Sequence, residues 1–126
     1  MVIKKELITK NDIQSPVGAL GQDSLFFYEL MLNARNGYHL ALPIHIYYAQ
    51  RESSVLNTVD SSFFKKFLVL EKYQARKFYE YGVLNEYRER KAKQFFSDWY
   101  LQKLMFADPE DVNKVKRILS EIENLY

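Results

Sequence analysis

From Asp60 to Asp108 the chain contains no proline and a single glycine, Gly82. A run this long without the usual breakers reads as helix almost throughout. At 1.5 Å per residue one unbroken helix would span roughly 70 Å, long for so small a domain. Gly82 is the natural place to break it, and Asn85 offers a cap for a second arm. A helical hairpin of 61–81 and 85–107 is therefore expected, with one long kinked helix as the competing arrangement. Asp60 or Ser61 offers the first cap.

The clearest single element follows. Asp108 can cap a helix, Pro109 suits its first position, and Glu110 and Asp111 complement the helix dipole. Val112, Val115, Leu119, Ile122 and Tyr126 then recur at spacings of three and four, with Ile118 and Leu125 widening the stripe. This predicts an amphipathic helix over 109–125 with one buried face.

A fourth helix is expected over 23–35, capped by Asp23 or Ser24 and closed near Gly37. Leu25, Phe26, Phe27, Tyr28, Leu30, Met31 and Leu32 leave it almost no polar face. A helix apolar nearly all round is expected to be central and buried. After Asn36-Gly37, Leu40, Leu42, Ile44, Ile46 and Tyr48 alternate with Ala41, Pro43, His45, Tyr47 and Ala49. Period two predicts a minor β element near 40–48, at an edge because Pro43 lacks a donor. The competing reading starts a helix at Pro43. Val2, Ile3, Leu7 and Ile8 read as a short strand or a helical turn, broken afterwards by Ser15-Pro16, Gly18 and Gly21, so that 1–22 is a loosely packed N-terminal arm or a strand and loop; a strand over 2–8 would pair with 40–48.

The expected architecture is thus mainly α, with about four helices (23–35, 61–81, 85–107, 109–125) in a compact bundle forming one domain over 1–126. With 126 residues, 48% of them hydrophobic and 27% charged, the chain has the means to bury a core. Phe26-Phe27, Phe63-Phe64 and Phe95-Phe96 are spaced unevenly, which fits three core helices better than a helical repeat.

Chemistry-bearing motifs are scarce. There is no cysteine, which excludes a disulfide framework, thiol catalysis and Cys-based zinc sites. The only two histidines, His39 and His45, would lie roughly 20 Å apart along one strand and cannot share a metal within it. Gly18-Ala19-Leu20-Gly21 matches the GxxG loop of the KH RNA-binding domain in spacing alone. It is apolar and precedes Asp23, so no residue is carried over, and no Lys-Ser or Lys-Thr follows to make a phosphate cradle. Glu80, Glu86 and Glu89 read as surface partners of nearby bases. No cofactor, metal or catalytic residue is assigned, and a non-enzyme is expected. The first residues lack the apolar run of a signal peptide, and no segment approaches the ~18 apolar residues of a spanning helix, so no membrane contact and a cytoplasmic location are expected.

Two features remain. Residues 61–107 carry ten basic against five acidic side chains, a net of +5 hidden within an overall charge of +2. Lys65, Lys72 and Arg76 would share one helix face, and Arg88, Arg90, Lys91 and Lys93 cluster further on, with Tyr73, Tyr79, Tyr81 and Tyr87 between them. Cations for phosphates and rings for bases would suit nucleic acid or an acidic partner; the competing reading is a solvated helix face. Second, aromatics make up 16% of the chain, ten of them tyrosines. Phe95, Phe96, Trp99 and Tyr100, with Val112, Val115, Leu119 and Ile122, form the candidate interface between subunits. The expected function is a non-enzymatic interaction protein (an adaptor, regulator or assembly factor), with a protein partner or a second copy of itself; the alternative is a nucleic-acid-binding accessory protein using 65–93.

Overall fold

The computed structural model describes residues 2–38 and 59–126. The alternation at 40–48 and both histidines lie outside the described residues. Those described are mainly helical and include no strand: α1 (Lys5–Lys10), α2 (Gln22–Asn33), α3 (Ser61–Glu80), α4 (84–104) and α5 (Val112–Glu123).

The predicted hairpin is present, and Gly82 makes it. Gly82 sits at φ +72°, the left-handed conformation that closes a helix. Its N–H donates to the Tyr79 carbonyl at 3.0 Å, and the Val83 N–H reaches back to the Phe78 carbonyl at 2.9 Å. Helix α3 starts where expected, with the Phe63 N–H donating to Asp60 Oδ1 at 2.8 Å. Its second orphan donor is met from a distance: the Ser61 N–H donates to Asp111 Oδ2 at 3.0 Å. Two carboxylates thus sit on the positive end of the same helix.

Helix α4 departs from simple α geometry. Between its short α segments Leu84–Tyr87, Lys93–Phe95 and Gln102–Leu104 lie two π-helical stretches, Arg88–Ala92 and Phe96–Leu101. In π turns the backbone bonds run i→i+5 and the helix widens. Residues four apart then come closer to alignment, and Ala92, Phe96, Tyr100 and Leu104 all turn inward. The helix begins at Leu84 without a side-chain cap, so Asn85 does not serve as one.

Helix α5 begins three residues later than expected. Asp108 to Asp111 form a turn, closed by the Asp111 N–H on the Asp108 carbonyl at 2.9 Å, and the helix starts at Val112. Asp108 and Pro109 therefore lead into the helix instead of opening it, and the Asp111 side chain is committed to α3.

The core lies between α3, α4 and α5. Phe63, Phe64, Phe67 and Leu70 of α3 meet Val115, Ile118, Leu119 and Ile122 of α5, and Tyr100 of α4 closes the layer. Phe67 meets Tyr100 edge-to-face with ring centroids 5.7 Å apart. Each fully buried side chain of this size contributes roughly 1.5–3 kcal/mol.

At the N-terminus the helical turn is realised and the strand is not. Residues 5–10 are helix, not strand, and the segment up to α2 is anchored: Ile13 and Pro16 are buried. Gly21, at φ +75°, opens α2 in place of Asp23 or Ser24. A Cβ there would stand 3.1 Å from Leu70 and 3.2 Å from Phe67, so only glycine lets this backbone approach α3 so closely. At its far end α2 stops at Asn33, and Ala34 is extended; Gly37 plays no part.

Helix α2 is also not the central element its composition predicts. Only Leu25, Glu29 and Leu30 are buried, while Phe27, Tyr28, Met31 and Leu32 remain 41–55% exposed. It touches the bundle along one side, and its apolar residues continue onto the other.

Candidate functional site

The orientation of α2 follows from its polar residues. Leu25, Glu29 and Asn33 are four apart and form its inner line. The Asn33 Nδ2 donates to the Tyr81 hydroxyl at 2.8 Å, and that hydroxyl donates to Glu29 Oε2 at 3.5 Å. Lys77 Nζ lies 3.8 Å from the same oxygen. Glu29 Oε1 has no hydrogen-bond partner among the described residues. Burial pushes the Glu29 carboxyl above its ordinary range, against the opposing pull of Lys77. Burial lowers the Lys77 ammonium and Glu29 raises it, with a net upward result.

Two residues along a helix turn about 200°, so pinning the 25–29–33 line inward turns the 23–27–31 line outward. Asp23, Phe27 and Met31 therefore follow one another along the exposed face, flanked by Ser24, Tyr28 and Leu32. Arg35, also exposed, stands just past the C-terminal end. The outer face of the helix is acidic at its start and apolar beyond, and Arg35 follows after the extended Ala34.

The expected interface residues are mostly committed inside the chain. Tyr100, Val115, Leu119 and Ile122 are core residues, and Phe96 and Trp99 pack against that core. Val112 is half-buried. Phe95 is partly exposed and stacks on Trp99 at 6.3 Å. The Lys103 ammonium lies 5.1 Å from the Trp99 ring centre. Of that set Phe95 is the one that faces outward; further along the chain Leu101, Met105 and Phe106 also stay exposed.

The seven basic candidates are all exposed. Three of them face acids: Lys72 lies 3.4 Å from Glu121, Arg76 3.9 Å from Glu80 and Arg90 3.1 Å from Glu86. Lys65, Arg88, Lys91 and Lys93 form no ion pair with the described residues. Three of the four tyrosines interleaved with them turn partly away from solvent. Tyr73, Tyr81 and Tyr87 are half-buried, and only Tyr79 stands open for stacking.

A buried polar cluster was not visible in the sequence reading. Glu71 retains 2% exposure at the heart of the bundle. Tyr100 Oη donates to its Oε1 at 2.5 Å, and Tyr126 Oη donates to its Oε2 at 2.5 Å. Gln74 Nε2 donates to Oε2 at 3.3 Å and to Tyr126 Oη at 3.0 Å. The Tyr87 ring packs on Tyr126 with centroids 5.2 Å apart. Burial drives the Glu71 carboxyl up, and the hydrogen bonds from Tyr100 and Tyr126 offset this only in part. Burial and the nearby Glu71 charge raise the phenols of Tyr87, Tyr100 and Tyr126, so they remain protonated donors. A general acid or base must reach the group it serves, and Glu71 is sealed from solvent in this conformation.

The signal for this cluster lay in the periodicity of α3. Phe67, Glu71, Gln74 and Phe78 follow one another at spacings of four, three and four, so the two polar residues stand in the middle of the apolar stripe.

No group of three or more metal-ligating side chains converges among the described residues. No helix among them is long and apolar enough to cross a membrane. No family model, curated protein or solved structure matches the chain.

Proposed function

We propose that this protein is a non-enzymatic interaction module that pairs with a second copy of itself through the outer face of α2. The observation that carries this reading is the exposed face formed by Asp23, Phe27 and Met31, with the exposed Arg35 just past the end of the helix. Contiguous exposed apolar side chains bounded by charge are characteristic of association surfaces. A two-fold axis across α2 would set two helices antiparallel, so that residue i meets j and j meets i. Asp23 of each copy would then approach Arg35 of the other, and Phe27 would approach Met31. The face is self-complementary in charge and apolar in between.

Twelve residues of helix make a short contact of about 18 Å. Standard stable interfaces bury ~800 Å² per partner, and a face this size falls at the weak end. The expected association is therefore reversible and concentration-dependent. Sedimentation velocity across a wide concentration series tests it. The wild-type sedimentation coefficient should rise with concentration, and Met31→Glu should hold the protein monomeric with an unchanged far-ultraviolet spectrum and melting temperature. A wild-type chain that stays monomeric throughout, or a Met31→Glu protein that associates equally well, would defeat the reading.

A further inference from the structure

The Glu71 cluster has more hydrogens than it can place once Glu71 becomes neutral. As a carboxylate, Glu71 accepts from Tyr100, Tyr126 and Gln74, and every buried hydrogen of the group has an acceptor. A proton taken up by Glu71 adds a donor of its own. If the carboxyl donates to Tyr100 Oη, the Tyr100 hydrogen has no acceptor, and Tyr100 is 1% exposed and cannot turn to water. If it donates to Tyr126 Oη, which already accepts from Gln74, the Tyr126 hydrogen is displaced instead. Tyr126 is half-buried and follows the end of α5, so it can carry its hydroxyl out to solvent. Leaving a buried donor unmet is costly, and the network yields where that cost is avoidable.

We propose that Glu71 and Tyr126 form a proton-released latch: proton uptake by Glu71 frees the Tyr126 side chain and detaches residues 124–126 from α3 and α4. Among the described residues, the polar groups facing Glu71 are all neutral. Gln74 comes from α3, Tyr87 and Tyr100 from α4, and Tyr126 from the segment that follows α5. Among the described residues no cation pairs with the carboxylate, and burial favours protonation. Release uncovers the Tyr87 ring face on which Tyr126 lies.

Carbon-13 NMR of the full chain, labelled in tyrosine rings and glutamate carboxyls, tests the latch. Tyr126 is assigned by its absence in Tyr126→Phe. On acidification its ring signals should move to solvent-exposed values with the same midpoint as the Glu71 carboxyl, while Tyr100 stays fixed. In Glu71→Gln the Tyr126 signals should not respond to pH. Should that variant fail to fold, Tyr126→Phe carries the test alone. It removes a bond made to the charged form, so the Glu71 midpoint should rise by about one pH unit, a tenfold gain in proton affinity. A Tyr126 signal that stays still while Glu71 titrates, or an unmoved Glu71 midpoint in Tyr126→Phe, would overturn the proposal.

Discussion

Replacing Tyr100 by Phe removes one oxygen atom from the buried polar cluster around Glu71. The ring and its contacts with Phe67 and Phe95 stay, so the loss is the hydrogen bond to Glu71 Oε1. That oxygen has no second partner among the described residues. Hydrogen bonds to charged groups contribute ~1.5–3 kcal/mol, and burial of both residues places this one well within that range, at about 2 kcal/mol near neutral pH. For a chain of this size that lowers the melting temperature by roughly 6 °C. The cost should depend on pH. In the wild type, Glu71 binds its proton more tightly folded than unfolded, so its contribution to stability is fully present below 4.5 and is lost as the pH rises through the elevated folded value. The Tyr100 bond favours the charged form, so removing it raises proton affinity further. The penalty is largest where Glu71 is ionised and shrinks where it is neutral. Urea unfolding of both proteins should give a difference of about 2 kcal/mol near neutral pH and under about 1 kcal/mol at the lower pH. An equal difference at both, or under ~0.5 kcal/mol near neutrality, would show that the bond contributes little or that Glu71 does not ionise in the fold.

Two further substitutions probe the frame that holds the cluster. Gly82→Ala should destabilise by about 1–2 kcal/mol through backbone strain alone, because φ is +72° and nothing lies within 4 Å of the added Cβ; chemical denaturation measures it. Asp111 is held down to about 2 from 3.8, first by the Ser61 backbone N–H and then by Lys114. Its contribution is therefore present above 3.8 and lost as the pH falls through about 2. Asp111→Asn should flatten that part of the acid unfolding curve, and a curve parallel to the wild type would count against the cross-helix cap.

Much of the fold was legible because local signals and tertiary packing agree. The stripe from Val115 to Ile122 has one apolar face and one partner, and Gly82 supplies the only left-handed turn between α3 and α4. The reading of α2 failed for a physical reason. An all-round apolar helix is buried only if neighbours surround it, and composition does not count neighbours; Glu29 and Asn33, which look like interruptions, set its orientation. Glutamates rarely enter cores unpaired, so residue type alone gives no reason to place Glu71 inside. Its position in line with Phe67 and Phe78 was the available clue. Its tyrosine partners lie 29 and 55 residues away in sequence, beyond any local pattern. The π turns that aim Tyr100 inward leave no mark on a 3.6-residue periodicity. Tyr100, Val115, Leu119 and Ile122 of the candidate interface are spent on the core, since a regular stripe serves an internal contact as well as an external one.

The pairing of charges across α2 gives the most direct test of self-association. Asp23→Arg alone should bring like charges together at both ends of an antiparallel pair and weaken dimerisation, as should Arg35→Asp alone. The double exchange restores opposite charges with the ends reversed, and its dimerisation constant should return to within a few-fold of the wild type. If the double variant is as weak as the two single losses combined, or if neither single change matters, two copies of this chain do not meet through α2.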